Sequence, residues 1–366
     1  MTAIAFTGGG TGGHIYPALA LIGVLREISD IDVFWIGHKS GMDRALVEGA
    51  GVRFYGIRAG KLRRYFSLRN VSDLFRTLWG VIGAWRVLAR ERPALLFSKG
   101  GFVSVPPVLA AALMKIPIHT HESDFSPGLA TKINARFAAC VWTAYEETAR
   151  RFLRSLRGGI RYVGNPVRPA FFNAQPERGR AFLAAASGQA VEKGRAILMV
   201  LGGSQGAHEI NNLVAACRDQ LCRHFFVVHQ TGAAASPAPA AMPGYFPIAY
   251  INDEMPDVLA AAALILGRSG AGTVWEAAAV GVPMVLVPLS GPGTRGDQVE
   301  NAAYFTEKGA ACTLLSPSAD ELYACIAELA GDAERRTAMA AAARQIGARN
   351  AARIIAQELA RFAGGV

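Results

Sequence analysis

Phe6-Thr7-Gly8-Gly9-Gly10-Thr11-Gly12-Gly13-His14 follows directly on the apolar run Ala3-Ile4-Ala5. An apolar run that ends in clustered glycines reads as a buried strand passing into a tight turn, and Leu19, Ile22 and Leu25 at helical spacing predict a helix over Pro17–Glu27. Without Cβ atoms such a turn can bend sharply and let a ligand approach the backbone. Its N–H groups, backed by the positive end of the helix, suit an anionic or strongly polar group. His14 puts a titratable ring at the same place, so the opening residues describe a binding crevice with an acid–base group in it.

The same alternation runs on. Apolar runs at Ala3–Thr7, Val33–Ile36, Leu95–Ser98, Ile116–His119 and Val141–Ala144 predict strands with helices between them, hence a parallel sheet covered on both faces. The pattern restarts at Ala196–Leu201, which ends in Gly202-Gly203-Ser204-Gln205-Gly206, and continues through Phe225–His229, Phe246–Ala249, Leu264–Gly267 and Met284–Val287. A chain of 366 residues suits about two domains. We therefore expect an α/β protein with two Rossmann-like domains over 1–165 and 166–344, Asn165-Pro166 marking the join. Ligands in such sheets bind at the carboxyl ends of the strands, so the cleft is expected where those ends face each other. Ile346, Ile354, Ile355, Leu359 and Phe362 describe an amphipathic closing helix over Gln345–Phe362, within a terminal segment 345–366 expected to pack back towards the N-terminal domain.

Half the residues (51%) are hydrophobic and 18% are charged, which speaks against disorder, while a net charge of +10 points to an anionic partner: nucleotide, nucleic acid or lipid headgroups. Five scattered cysteines with no CxxC pair predict neither a zinc site nor a disulfide framework, and fit a reducing compartment. The N-terminus has no basic region before its apolar run, so no signal peptide is expected, and no apolar stretch reaches the roughly 18–20 residues of a spanning helix.

Gly8, Gly10 and Gly13 match G-x-G-x-x-G, but a dinucleotide site needs an acidic residue at the end of the second strand, which here reads Trp35-Ile36-Gly37-His38. Asp30 and Asp32 lie before that strand and read as a solvated pair. Ser204 and Gln205, in the second glycine turn, could meet phosphate or sugar. The densest signal is Gly267-Arg268-Ser269-Gly270-Ala271-Gly272-Thr273-Val274-Trp275-Glu276-Ala277, where small residues open a helix directly after a strand. The first N–H groups of that helix can cradle a diphosphate, and Glu276, one turn inside, can accept two hydrogen bonds from a ribose diol. The competing reading of Thr273 and Glu276 is a capping box.

Taken in order, Gly8–Pro17 (GGGTGGHIYP), Ser98–Pro106 (SKGGFVSVP), His121–Gly128 (HESDFSPG), Gly164–Arg168 (GNPVR), Gly202–Ala207 (GGSQGA), His229–Gly232 (HQTG), Arg268–Glu276 (RSGAGTVWE) and Asp297–Ala302 (DQVENA) resemble the MurG family of glycosyltransferases over nearly the whole chain. The resemblance implies a GT-B fold and inverting transfer of N-acetylglucosamine, without metal or cofactor, from UDP-N-acetylglucosamine to the 4-hydroxyl of a lipid-linked muramyl-pentapeptide. It implies a C-terminal domain that holds the UDP-sugar. There Glu276 binds the ribose, Ile251 lies against the uracil through its backbone, Arg168 sits near the nucleotide, Ser204 contacts phosphate and Gln298 meets sugar hydroxyls, with Ser269, Gly270 and Thr273 at the helix start. It implies an N-terminal domain that holds the acceptor, with Thr11, Gly12, Gly13 and His14 at its glycine turn. His14 is the expected base, with Glu122 as an alternative or supporting carboxylate.

The chain departs from the family pattern at Asp124, where many members have Asn, and at Asp297, where Gln or His is frequent. The loop Leu289–Gly296 also differs. A carboxylate at 124 accepts from a sugar hydroxyl but does not donate to an acetamido carbonyl unless protonated. These departures leave open a paralogue with another sugar or lipid acceptor, and a UDP-sugar-binding scaffold without turnover.

The segment Arg58–Arg92 bears on the acceptor independently. Arg63, Arg64, Arg69 and six further basic residues stand against only Asp73 and Glu91, and Leu74, Phe75, Leu78, Ile82, Trp85 and Leu88 recur among them at helical spacing. Such a helix rests on anionic lipid, at the cytoplasmic face of a membrane if the resemblance holds; the competing reading makes the stripe ordinary core with a wet arginine face. No helix-turn-helix, RNP-like or zinc motif is present to make the patch a nucleic-acid site.

Overall fold

The computed structural model describes residues 2–60, 69–152, 159–192, 194–202, 207–232, 239–291 and 294–364. The chain divides into two compact units, Met1–Pro169 with Asn350–Val366, and Ala170–Arg349.

Among the described residues of the first unit, β1 (Ala3–Thr7), β2 (Asp32–His38), β3 (Arg53–Ile57), β4 (Leu95–Ser98), β5 (Ile118–Glu122), β6 (Cys140–Thr143) and β7 (Gly159–Tyr162) form one parallel sheet. Their order is β3-β2-β1-β4-β5-β6-β7. Between them run α1 (Gly12–Ile28), α2 (Met42–Gly49), α3 (Arg69–Glu91), α4 (Val105–Leu113), α5 (Leu129–Ala135) and α6 (Glu146–Phe152). The second unit holds α7 (Pro176–Ser187), β8 (Ile197–Leu201), α8 (His208–His224), β9 (Phe226–Gln230), β10 (Tyr245–Ile248), α9 (Met255–Ala261), β11 (Leu264–Gly267), α10 (Ala271–Val280), β12 (Met284–Leu286), α11 (Asp297–Glu307), β13 (Ala311–Thr313), α12 (Ala319–Gly331) and α13 (Ala333–Gly347). Its parallel sheet has the order β10-β9-β8-β11-β12-β13. The chain then returns to the first unit as α14 (Ala351–Phe362).

Strand β1 shows why these runs are almost wholly apolar. Ile4 and Phe6 point into a core shared with Leu21 and Leu25 of α1 and Ile355 and Leu359 of α14. Ala3 and Ala5 point the other way, to Ala84 and Leu88 of α3 and Val108 of α4. A strand covered on both faces has no wet side to mark with polar residues. Each large side chain so enclosed contributes about 1.5–3 kcal/mol.

The expected closing helix is interrupted. Ile346 belongs to α13, and Asn350, whose side chain accepts from Arg353 N at 3.0 Å, caps the start of α14. The capped break turns Ile355 and Leu359 onto α1, and an ion pair between Glu358 and Arg161 ties the helix to β7.

Strand order reverses between β1 and β4 in the first unit and between β8 and β11 in the second. At such switch points adjacent crossovers leave the sheet in opposite directions, opening a crevice beyond the carboxyl ends. Both sequence regions singled out for chemistry, the turn after β1 and the helix start after β11, lie there.

Candidate active site

Two glycine turns close on each other at the first switch point. A Cβ on Gly101, which has φ +76°, would stand 2.3 Å from Gly9 O and 3.0 Å from the His14 ring. Only glycine permits both the backbone conformation and the approach. Gly9 is bounded on its other side, where a Cβ would meet Asp43 Oδ2 at 2.1 Å. The Asp43 carboxylate accepts from Gly10 N at 3.2 and 3.3 Å and so fixes the turn from α2. Burial raises the Asp43 pKa, against the pull of those amide bonds.

His14 lies in the first turn of α1, half-buried, and Thr11 is its N-cap residue. Thr11 and Gly13 are exposed and Gly12 half-exposed beside it. The ring's Nδ1 stands 3.1 Å from Lys99 O, in the turn after β4. A carbonyl only accepts, so Nδ1 carries the proton and Nε2 is the basic nitrogen.

The Lys99 side chain runs in the opposite direction, into the protein. Its ammonium donates to His121 Nδ1 at 2.9 Å and to Ser123 Oγ. His121 in turn donates from Nε2 to Gly164 O at 2.9 Å, and Ser123 donates to Asn165 Oδ1 at 2.6 Å. This buried chain joins the ends of β4 and β5 to the segment after β7. Burial draws the Lys99 pKa down to about 8, against the charges of Glu122 and Asp124. Burial, helped by the Lys99 charge, holds His121 neutral, well below the ordinary imidazole range.

Glu122, buried beside them, uses its carboxylate to form the following loop. Oε1 accepts from Asp124 N at 3.1 Å and Oε2 from Gly128 N at 3.0 Å. Burial first, and the neighbouring Asp124 charge second, hold its pKa above the ordinary carboxylate range. Asp124 is 9% exposed, and Arg168 is half-buried at the end of the first unit.

In the second unit α10 starts one residue after Gly270, its N-cap. No side chain caps it, and an added Cβ at Gly270 or Gly272 would meet nothing within 4 Å. Thr273 is therefore the third helical residue rather than a cap, and the capping-box reading of Thr273 and Glu276 does not apply. Both side chains are half-exposed. The buried Ser269 hydroxyl donates to Gln298 O at 2.7 Å, and Asn301 Nδ2 donates to Ser269 O at 3.1 Å, bolting the helix start to α11. Gln298 Oε1 accepts from Leu289 N at 2.9 Å and holds the preceding loop. Ile251 is buried and its amide donates to Gln230 Oε1 at 2.9 Å. Ser204 lies outside the described residues. Among the described residues no group of three His, Cys, Asp or Glu side chains is placed to hold a metal ion.

Helix α3 carries apolar residues on two faces. Ala84 and Leu88 are buried in the core, which corrects the placement of Leu88 on the surface stripe. Phe75, Leu78, Trp79, Ile82 and Trp85 are exposed, by 59%, 52%, 57%, 41% and 49%. The reading of this stripe as ordinary core therefore fails. Arg63 and Arg64 lie outside the described residues, as do the side chains of Arg69 and Leu74. No described helix is long and apolar enough to cross a membrane.

Residues 4–143 match the glycosyltransferase family 28 N-terminal domain and residues 197–359 the family 28 C-terminal domain. The chain is 46% identical over 371 residues to the UDP-N-acetylglucosamine--N-acetylmuramyl-(pentapeptide) pyrophosphoryl-undecaprenol N-acetylglucosamine transferase of Treponema pallidum (strain Nichols), covering 98% of this chain and 95% of that one. The chain belongs to the MurG family. The enzyme of the same name from Staphylococcus carnosus is 38% identical over 316 residues, 86% of this chain and 84% of that one. The crystal structure of Acinetobacter baumannii MurG superposes with a TM-score of 0.73 at 25% identity, covering 99% of this chain and all of that one (100%). The chain is thus a glycosyltransferase with the two Rossmann-like units of the GT-B fold, as its motifs suggested.

Within this MurG-family chain the quoted motifs explain one another. SKGG, HESDF and GNPVR meet in the Lys99–His121–Ser123–Asn165 network, and DQVENA meets RSGAG through Ser269 and Asn301. HQTG bonds outside the other motifs, His229 at the end of β9 pairing with Tyr245 and Asn211. Sequence reasoning missed Lys99 and Asp43 as supports of the glycine turns. A lysine after a buried strand gave a signal, but its partners lie on other strands.

Proposed function

We propose that the chain transfers N-acetylglucosamine from UDP-N-acetylglucosamine to the 4-hydroxyl of a polyprenyl-diphosphate-linked N-acetylmuramyl-pentapeptide, with inversion at the anomeric carbon. The observation that carries the mechanism is the tautomer of His14: with Nδ1–H held by Lys99 O, the basic Nε2 belongs to a ring at the first switch point. The acceptor oxygen forms its bond to C1 from the face opposite the diphosphate. His14 Nε2 takes the hydroxyl proton as that bond forms, and the C1–oxygen bond to the diphosphate breaks. Charge then grows on UDP, and the unpaired amides at the start of α10 stabilise it without reorganising. Glu276 binds the ribose diol. Ile251, Arg168, Ser204, Thr273 and Gln298 complete the donor side, Asp124 accepts from a sugar hydroxyl, and Thr11, Gly12 and Gly13 form the acceptor side. Glu122 acts as the supporting carboxylate, since its oxygens form the 123–128 loop.

The exposed face of α3 rests on the cytoplasmic surface of the membrane, where the lipid acceptor lies. Bulky apolar side chains that fold without burial are what an interfacial helix presents to lipid, and nearby arginines pair with anionic headgroups. The test is a radiolabel transfer assay with several UDP-sugars on a lipid-linked muramyl acceptor. UDP-N-acetylglucosamine should be the preferred donor by at least about tenfold. Preference for another UDP-sugar, or binding without turnover, overturns the reading. Asp124 makes the sugar comparison the informative arm, because a carboxylate there accepts from a sugar hydroxyl, and Asp124→Asn should shift the order of preference among UDP-sugars.

A further inference from the structure

Helix α5 backs the turn that holds His14. Thr131 and Asn134, three residues apart and so on one face of that helix, are both buried. A Cβ on Gly100 would stand 3.1 Å from Thr131 Oγ1 and 3.8 Å from His14 Nδ1, so α5 and the ring flank this residue. Asn134 reaches the turn at both ends. Its Nδ2 donates to Ser98 Oγ at 3.0 Å and to Ser104 Oγ at 2.7 Å. Ser98 Oγ also accepts from Gly100 N at 3.2 Å, and Ser104 Oγ donates to Gly101 O at 2.8 Å. The chemistry of these groups fixes the direction of the bonds. Ser104 gives its only hydroxyl proton to Gly101 O, so the Asn134 atom that meets it is a donor. Ser104 stands at the N-cap of α4 yet caps no helix amide, so its hydroxyl is committed to the turn. Asn134 Oδ1 is buried with no partner among the described residues. A buried amide that engages its N–H groups and leaves its oxygen unused serves as a double donor, and what it holds is the two serines. Asn134 lies outside every motif that carries the family resemblance.

We propose that Asn134 is a positioning residue for the transfer reaction: through Ser98 and Ser104 it fixes the 99–101 turn, and with it the Lys99 carbonyl that orients His14. The proposal rests on His14 as the base. The link is the peptide group between Lys99 and Gly100, which is planar and carries Lys99 O on one edge and Gly100 N on the other. Ser98 Oγ holds the N–H edge, and His14 Nδ1 donates to the oxygen edge. A plane held at its N–H cannot turn without carrying its oxygen with it. The next constraint along the chain is Gly101 O, which accepts from both the backbone N and the Oγ of Ser104. Asn134 clamps the two hydroxyls that make these ties, so its loss frees the peptide plane to tilt and swings Lys99 O away from the ring. His14 then no longer has its proton assigned to Nδ1, and the share of rings with a basic Nε2 falls.

The experiment labels the histidines of the full-length protein with nitrogen-15 and reads the ring tautomers by NMR, a His14→Gln spectrum assigning the His14 signals, beside steady-state transfer kinetics. Wild-type His14 should read as the Nδ1–H tautomer. Asn134→Ala should leave that ring a mixture of tautomers and lower kcat by about 10- to 100-fold, the cost of a small misplacement. The KM for UDP-N-acetylglucosamine should stay within about threefold, since the residues assigned to the donor lie mostly in the other unit. Ser104→Ala removes only an oxygen, so it decides the matter where Asn134→Ala does not fold. It should move the tautomer and kcat in the same direction, and in the double variant the losses should not add, because both act through one turn. An Nε2–H ring in the wild type overturns the proposal. So does either variant if it folds and keeps the wild-type tautomer, whatever its melting temperature or kcat. The tautomer arm needs no substrate, so wild-type protein that shows the Nδ1–H ring and transfers nothing refutes the proposed function alone.

Discussion

At the scale of single residues, the site works by fixing which atoms can accept. Lys99 O assigns the proton on His14, and the Lys99 ammonium, turned inward, holds the strands that present that carbonyl. His14→Ala should lower kcat by roughly 10²–10⁴, the usual contribution of a general base, while the KM for UDP-N-acetylglucosamine stays within about threefold. Steady-state transfer kinetics measure both, and a kcat within about threefold of wild type removes His14 from the mechanism. Glu276→Ala tests the donor side. Each hydrogen bond to a carboxylate is worth about 1.5–3 kcal/mol, so with two lost UDP affinity measured by calorimetry should fall at least about 100-fold. The side chain is half-exposed, so thermal stability should barely move, and unchanged UDP affinity places the ribose elsewhere.

At the scale of elements, burial explains what could be read in advance. The central strands were legible because both faces are covered, which leaves an unbroken apolar run. The strands that no apolar run announced, β3, β7 and β13, all lie at sheet edges and alternate with wet positions, as in Arg53–Ile57 and Gly159–Tyr162. Strand β5 reads two residues early, at Ile116–His119. Its true end, His119-Thr120-His121-Glu122, is polar yet buried: His119 accepts from Trp142 Nε1, His121 bonds Lys99 and Gly164 O, and Glu122 accepts from the amides of the following loop. The glycine turns and the α10 start were legible from composition, whereas the supporting Lys99 network was not, since it joins residues far apart in sequence. Helix α3 was legible in part: its spacing announced an apolar stripe, but spacing alone does not say whether protein or lipid covers it. The exposed face yields a prediction for this helix alone. Phe75→Ser with Trp85→Ser should reduce co-sedimentation with vesicles containing anionic lipid by at least about tenfold, because each side chain gives up over 1 kcal/mol of burial. Melting temperature and transfer to a water-soluble acceptor analogue should hold. Vesicle binding that ignores both the substitutions and salt would mean that this face does not dock.

At the scale of the whole molecule, buried imidazoles set the response to acid in both units. Burial, with the Arg161 charge second, lowers His119 in the first unit to about 4, and burial lowers His229 in the second to about 4. Each serves in its neutral form: Trp142 Nε1 donates to His119 Nδ1 at 3.4 Å, while His229 accepts from Tyr245 Oη at 2.8 Å and donates to Asn211 at 3.0 Å. In the unfolded chain the same rings titrate near 6.5. Between pH 6.5 and about 4 the unfolded state therefore binds more protons than the native one, so stability falls as pH falls. The contribution is intact above 6.5 and is lost by the time pH passes through about 4. Each ring accounts for about 1.4 kcal/mol per pH unit inside that window, a large share of a typical stability of about 5–15 kcal/mol. Urea midpoints should be nearly flat from pH 8 to 7 and drop steeply below about 6.5, well before most carboxylates protonate. His229→Gln can keep a donor and an acceptor at the site without the titration, so it should flatten the part of the slope that belongs to the second unit. A wild-type midpoint that stays level down to pH 5 would show that these rings are protonated in the folded protein, and that their hydrogen bonds are made the other way round.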